Sequence, residues 1–229
     1  MSEPLPRALE ILWHEPSAPR RTAGLNRERI VAAGIALADA DGLGALSMAR
    51  LAARLDCGTM SLYRHVANKD ELVTFMLSAA TGPPPALDPS DWRAALDDWA
   101  TGLWRLYHRH PWMLQASTAG PPADPGQLGW FDAGLAALGD TRLAERDKLA
   151  AVMVVLHFVR GAAAVHIEAA HVEGPDYPAL LRRVVDAERL PALSAALADG
   201  VFDDADNDRE ADFRSGLRQL LDGIATRVK

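Results

Sequence analysis

The sequence predicts an all-α protein in two parts: a small N-terminal three-helix module, joined through a connector helix to a larger helical domain. Three observations predict it. Strand signals are missing, because only 6% of the 229 residues are aromatic, β-branched runs are short, and Ala and Leu dominate. Apolar residues recur at spacings of three and four through most of the chain. Gly82-Pro83-Pro84-Pro85 then breaks the chain, which separates residues 25–80 from residues 81–229. With 49% apolar residues the chain can bury a substantial core.

Residues 1–24 read as a flexible arm. They carry Pro4, Pro6, Pro16 and Pro19 around an apolar patch of Leu9, Ile11, Leu12 and Trp13. The first clear helix runs from Arg27 to Asp41, capped by Asn26, with Ile30, Ala33, Gly34, Leu37 and Ala38 on one face. Gly34 costs about 1 kcal/mol relative to Ala inside a helix, so a second helix is expected to pack closely there. Gly42 and Gly44 end this helix.

Ser47 to Leu72 is the most informative stretch. Ser47 suits an N-cap, Leu51, Ala52 and Leu55 share one face, and Arg50 and Arg54 lie outside it. Asp56-Cys57-Gly58 makes a break short enough for a helix-turn-helix corner. In the following segment Leu62 and Val66 point inward. Met60, Ser61, Tyr63 and Arg64 therefore turn outward, with His65 on the flank. Such an outward face suits a helix that reads another molecule. Asn68-Lys69-Asp70-Glu71 then resembles a capping box, so a new helix starts near Lys69 and runs to about Ala80. Its N-terminal N–H groups, its dipole and Lys69 together suit a phosphate.

Leu51, Leu55, Ser61, Leu62, Tyr63, His65, Asn68, Lys69 and Leu72 together resemble the tetracycline-repressor (TetR) family of bacterial transcriptional regulators. The LY-x-H-x-x-NK core carries most of that resemblance, which covers residues 25 to 80 and is fainter beyond. Asp56 departs from it, standing where the family usually has a left-handed glycine; Asp tolerates that conformation better than most residues. The resemblance implies that Thr59, Met60 and Tyr63 face the DNA major groove, that Tyr63 and His65 touch phosphate, and that Lys69 binds the backbone. Ser47 and Ser61 join this candidate surface. Arg64 is the candidate for base reading, because a guanidinium can contact guanine at two acceptors. Arg20 and Arg21 leave two readings open, a minor-groove arm or a solvated tail.

Beyond the break, Ser90 is expected to cap a helix carrying Trp92, Leu96, Trp99, Leu103, Leu106 and Tyr107, and Pro111 interrupts it. A short piece with Trp112 to Leu114 follows, then a Gly/Pro loop through Gly126 and a helix ending at Gly139. A long helix of about Arg142 to His171 is apolar around much of its circumference, so it is expected to be buried on more than one side. One or two helices around Pro191, an acidic loop and a last helix carrying Phe213, Leu217, Leu221 and Ile224 complete the chain. A small hydrophobic effector is expected among Trp104, His108, Trp112, Met113, Trp130, His157 and Phe158. The resemblance implies a homodimer through the last long helices, for which Gly161, Ala162, Val165, Leu217, Leu221 and Ile224 are the candidates.

The net charge of −7 is unevenly placed. Arg20 to Lys69 holds eight basic and four acidic residues, whereas residues 81–229 hold 15 basic and 22 acidic. A basic module on an acidic body keeps affinity for nucleic acid local. One cysteine, Cys57, excludes an intramolecular disulfide and gives no metal cluster. Neither a secretory leader nor a membrane span is read from the sequence, so a cytoplasmic location is expected. The histidines lack helix-borne ligand spacing, and Asp204, Asp206 and Asp208 imitate a calcium loop without its Gly and Glu. No catalytic motif, cofactor fingerprint or metal site is found. The expected function is a ligand-responsive repressor on a palindromic operator. An effector-independent regulator, or a helical ligand-binding protein or enzyme that keeps the module as scaffold, remain the alternatives.

Overall fold

The structure, a computed structural model, describes residues 5–14, 24–117, 122–169, 177–202 and 209–228. Arg20 and Arg21 lie outside them, as do His171 and the three aspartates of the acidic loop. Among the described residues all regular structure is helical: α1 (Arg7–His14), α2 (Arg27–Asp41), α3 (Met48–Arg54), α4 (Thr59–Tyr63), α5 (Lys69–Thr81), α6 (Trp92–Arg109), α7 (Trp112–Ala116), α8 (Pro125–Ala136), α9 (Glu145–Ala169), α10 (Tyr177–Val184), α11 (Pro191–Ala198) and α12 (Arg209–Ala225).

The first departure from expectation is α1. Residues 7–14 form a helix docked on α5, where a flexible arm was expected. Pro6 starts this helix instead of breaking it, its carbonyl accepting from the N–H groups of Leu9 and Glu10. Ala8 is buried, Arg7 pairs with Glu71, and the Trp13 indole donates to Ala123 O at 2.9 Å. The patch read from Leu9 to Trp13 is therefore a helix face covering the junction of the two domains.

The three-helix module is α2, α3 and α4 closed by α5. Asn26 Oδ1 caps α2 through Arg29 N, and Gly34 lies so close to α5 that a β-carbon there would stand 2.9 Å from Met76 Sδ. α5 then runs into the larger domain, where it packs on α8. Two contacts from α2 fix the domains to each other. Asp39 Oδ1 accepts from Trp112 Nε1 at 2.7 Å and lies 2.8 Å from His110 Nδ1. Trp112, expected in the effector pocket, is instead this interdomain anchor.

In the larger domain α9 packs against α6, α8 and α12. Asp91 caps α6 through Arg93 N and Ala94 N, the role expected of Ser90. By length and composition α9 could cross a bilayer, a property that a search for uninterrupted apolar runs misses because His157 and Arg160 punctuate it. Val152, Val155, Val159 and Ala163 bury one side, while Val154, Gly161 and Val165 stay exposed on another. The expectation of burial on several sides is thus met on one side of the single chain.

Candidate nucleic-acid interface and effector cavity

The interface is assembled by short-range bonds. Ser47 Oγ accepts from Arg50 N at 3.2 Å and starts α3. α3 ends where Asp56 takes a φ of 50°, in the left-handed region, and Cys57 N closes back on Ala52 O at 3.0 Å. Asp thus meets the geometry for which glycine is usual. The chain reverses, and Leu62 and Val66 seal α4 against the module with no exposed surface. With those two anchors fixed, Thr59, Met60, Tyr63 and Arg64 are exposed and Ser61 and His65 are partly so; Met60 reaches 73% exposure. A methionine that open on a free surface has lost the benefit of burial.

Behind α4, Asn68 Oδ1 accepts from Glu71 N at 2.8 Å. Glu71 reaches back as in a capping box, but to Ala67 N at 3.0 Å, one residue before the cap. The N–H groups of Lys69 and Asp70 remain, among the described residues, as the helix's unclaimed donors. Among the described residues, neither Arg64 nor Lys69 has an ion-pair partner, whereas Arg50 is tied to Asp41 at 2.8 Å. Ser47, Thr59, Met60, Ser61, Tyr63, Arg64, His65 and Lys69 all retain surface around the α4 corner. Ser47 keeps its hydroxyl proton as a donor although its oxygen serves as cap.

The larger domain holds a partly open cavity of about 100 Å3. Trp99, Tyr107, Trp130 and Phe131 form its walls, with Arg160 and Gln127 as polar groups. Two glycines make room for the indoles: a β-carbon on Gly102 would lie 2.9 Å from Trp130, and one on Gly134 2.9 Å from Trp99. Trp99 Nε1 donates to Trp130 O at 2.7 Å. Trp130 Nε1 in turn donates to Thr81 O and Gly82 O, both at 3.1 Å, at the end of α5. Burial pushes the Tyr107 phenol up from its ordinary pKa, with Arg160 pulling it the other way.

Only Met113 and Trp130 of the seven expected pocket residues line this cavity. Trp104 instead stacks on Phe213, whose ring also stacks on Phe158, so these three fasten α6 and α9 to α12. His108 is exposed and its Nδ1 lies 2.8 Å from Trp104 O, while His157 is exposed on α9. The dimer candidates need the same correction: Leu217, Leu221 and Ile224 face the protomer's own core, which leaves Gly161, Ala162 and Val165 at or near the surface. Trp99, Tyr107, Phe131 and Arg160 were missed as a set. Trp99 and Tyr107, about two turns apart on α6, read equally as core, Phe131 and Arg160 come from α8 and α9, and only the glycines opposite hint that large rings need space.

An exposed second helix of a helix-turn-helix, followed by Arg64, braced by a capped helix that starts at Lys69 and carried by a larger all-helical domain, defines a DNA-binding transcriptional regulator. Known proteins agree. Residues 30–74 match the family described as bacterial regulatory proteins, tetR family, and residues 84–228 match the tetracyclin repressor-like, C-terminal domain. The chain belongs to the tetR family and is a regulator, not an enzyme. It is 34% identical over 238 residues to the HTH-type transcriptional repressor DrrR1 of Streptomyces coeruleorubidus, covering 97% of this chain and 86% of that one. An HTH-type transcriptional regulator of Saccharopolyspora erythraea is 33% identical over 221 residues, with 93% and 91% covered. ActR of Streptomyces coelicolor, solved in complex with actinorhodin, shares the fold with a TM-score of 0.76 at 23% identity, over 90% of this chain and 99% of that one.

Proposed function

We propose that this regulator is an effector-responsive repressor that grips a palindromic operator as a homodimer. The observation that carries this reading is Trp130, which is at once a wall of the cavity and the hydrogen-bond donor that holds the end of α5. The other end of α5 bears Asn68 and Lys69 beside α4. A ligand that displaces the Trp130 ring would move the end of a 13-residue helix whose other end sits at the DNA surface. It would shift the equilibrium only by its difference in affinity for the two positions of that helix. Similarity to a transcriptional repressor favours repression, and a structural neighbour solved with a ligand favours responsiveness.

The exposed strip of α9 supports the homodimer. Val154 is 47% and Val165 63% exposed on a helix otherwise apolar, and a groove of about 250 Å3 runs beside it between α9 and α12, floored by Ala150, Ala151 and Leu220. A second copy covering this strip would explain why so apolar a helix lies open. Two copies would present two α4 helices to half-sites about one DNA turn apart. A cytoplasmic location follows from the same reading.

The test is binding of the full chain to the DNA upstream of its own coding region at two salt concentrations, beside the double variant Tyr63→Ala, Lys69→Ala. Sequence-selective, salt-dependent binding lost in the variant supports the reading, and a broad panel of small apolar molecules is then screened for release of that DNA. If neither this DNA nor any member of a random-sequence library is bound, the repressor reading falls.

A further inference from the structure

We propose that the effector is a flat aromatic anion whose carboxylate or phenolate is bound by Arg160. This deepens the effector-site reading and rests on it. Arg160 projects from α9 among apolar neighbours, and its guanidinium stands 5.9 Å from the centre of the Tyr107 ring. Its one hydrogen bond to the backbone, Nη2 to Leu114 O, is long at 3.4 Å. A guanidinium offers five donors, and beyond this bond and the one to the Tyr107 phenol oxygen Arg160 keeps donors for an anion.

Other arginines of the larger domain are served differently. Arg93 pairs with Asp222, Arg214 with Glu210 and Arg227 with Asp147, all at the surface. Arg160 is partly buried at a cavity and, among the described residues, has no carboxylate partner, in a chain with 31 acidic residues to draw on. A charge placed in an apolar wall is costly unless something pairs with it. Tyr107 cannot serve as counter-ion, because burial keeps its phenol neutral. A planar carboxylate or a phenolate completes the guanidinium geometry, and Trp99, Trp130 and Phe131 supply the flat apolar walls.

The cavity of about 100 Å3 adjoins a second hollow of about 210 Å3 roofed by α1, and the two share Ser117, Pro122 and Gln127. Gln127, at the junction, offers both a donor and an acceptor to such a ligand.

The test is calorimetric titration of the full chain with 1-hydroxy-2-naphthoate, anthracene-2-carboxylate and the methyl ester of each. The wild type should bind the acids at least tenfold more tightly than the esters. Arg160→Gln should erase that preference while still binding the esters, and Arg160→Lys should restore part of it, with thermal unfolding run on each variant. If acids and esters bind the wild type equally, the cavity is an effector site without anion recognition and this inference alone falls. If none of the four binds, the inference also falls, and release of DNA by other members of the apolar panel decides separately whether the effector reading stands. The wild-type comparison is decisive even where a variant fails to fold.

Discussion

The two ends of α5 are held in opposite ways. At its start the capping bonds are local: Asn68 caps Glu71 N and Glu71 returns to Ala67 N, the one remote partner being Arg7 of α1. At its finish the bonds are remote in sequence, since Thr81 and Gly82 are held by the indole of Trp130 and Ser78 meets the backbone of Gly126. The caps of the first arrangement are complete within the module and, among the described residues, leave the Lys69 and Asp70 N–H groups without an acceptor. The second depends on a ring that also walls a cavity. Under the proposed reading, one end of this helix would be fixed beside the DNA surface and the other would depend on the cavity wall, which is what a lever in a switch requires.

The conditional end can be broken most sharply at Gly126. A β-carbon there would stand 2.5 Å from Ser78 O, a backbone atom that cannot swing away. Gly126→Ala should cost about 3 kcal/mol by forcing α8 off α5, read as a lower urea midpoint with unchanged slope. Trp130→Phe is milder. It keeps a ring in the cavity but removes the donor from two carbonyls, a loss of about 2 kcal/mol. Ligand-free operator binding should survive at permissive temperature, while the ligand concentration needed for release shifts several-fold. Unchanged release would show that Trp130 does not link cavity and lever.

The same contrast explains what the sequence could disclose. Ser47 and Asn68 cap residues three positions away, and Leu62 and Val66 are four apart on one face, so spacing alone revealed the caps, the buried anchors and the exposed face of α4. Even Asp56 in the left-handed region was legible as a turn problem. The cavity was not, because Trp99, Trp130 and Arg160 come from three helices and meet only through tertiary packing. Trp104 and Trp112 carry the same residue type at equally suggestive positions, yet one stacks on Phe213 and the other anchors Asp39. Leu217, Leu221 and Ile224 were misplaced for a related reason: periodicity shows that a helix has an apolar face, and not whether its own chain or another copy covers it. Helix α1 was hidden by its prolines, which start a helix as readily as they end one.

The local end should respond less to substitution. Glu71→Gln preserves an acceptor for Ala67 N and removes only the charge facing Arg7. Arg7 is 54% exposed, so solvent screens the pair and the expected loss is below about 1 kcal/mol. Operator affinity should stay within about twofold, because Asn68 still caps the helix. A large fall in affinity would mean that α1 helps to place the DNA surface and that this end is not self-sufficient.

The smallest effect sharpens the comparison through pH. Asp124 caps α8 beside the conditional end, accepting from Gln127 N at 3.1 Å, and burial pushes its carboxyl up from the ordinary value of 3.8 despite its hydrogen bonds. A carboxyl that holds its proton more tightly folded than unfolded contributes most below its unfolded pKa. That contribution is lost as pH rises through the folded value. At pH 7 the ionised, buried group is therefore a burden, and Asp124→Asn, which caps a helix equally well, removes the charge and keeps the acceptor. The variant should have a higher urea midpoint than wild type at pH 7, and the lead should shrink towards nothing at pH 3.5. A lead that persists in acid would assign the gain to the amide's own bonds, and a wild type more stable at pH 7 would mean that the negative charge at the α8 N-terminus outweighs its burial.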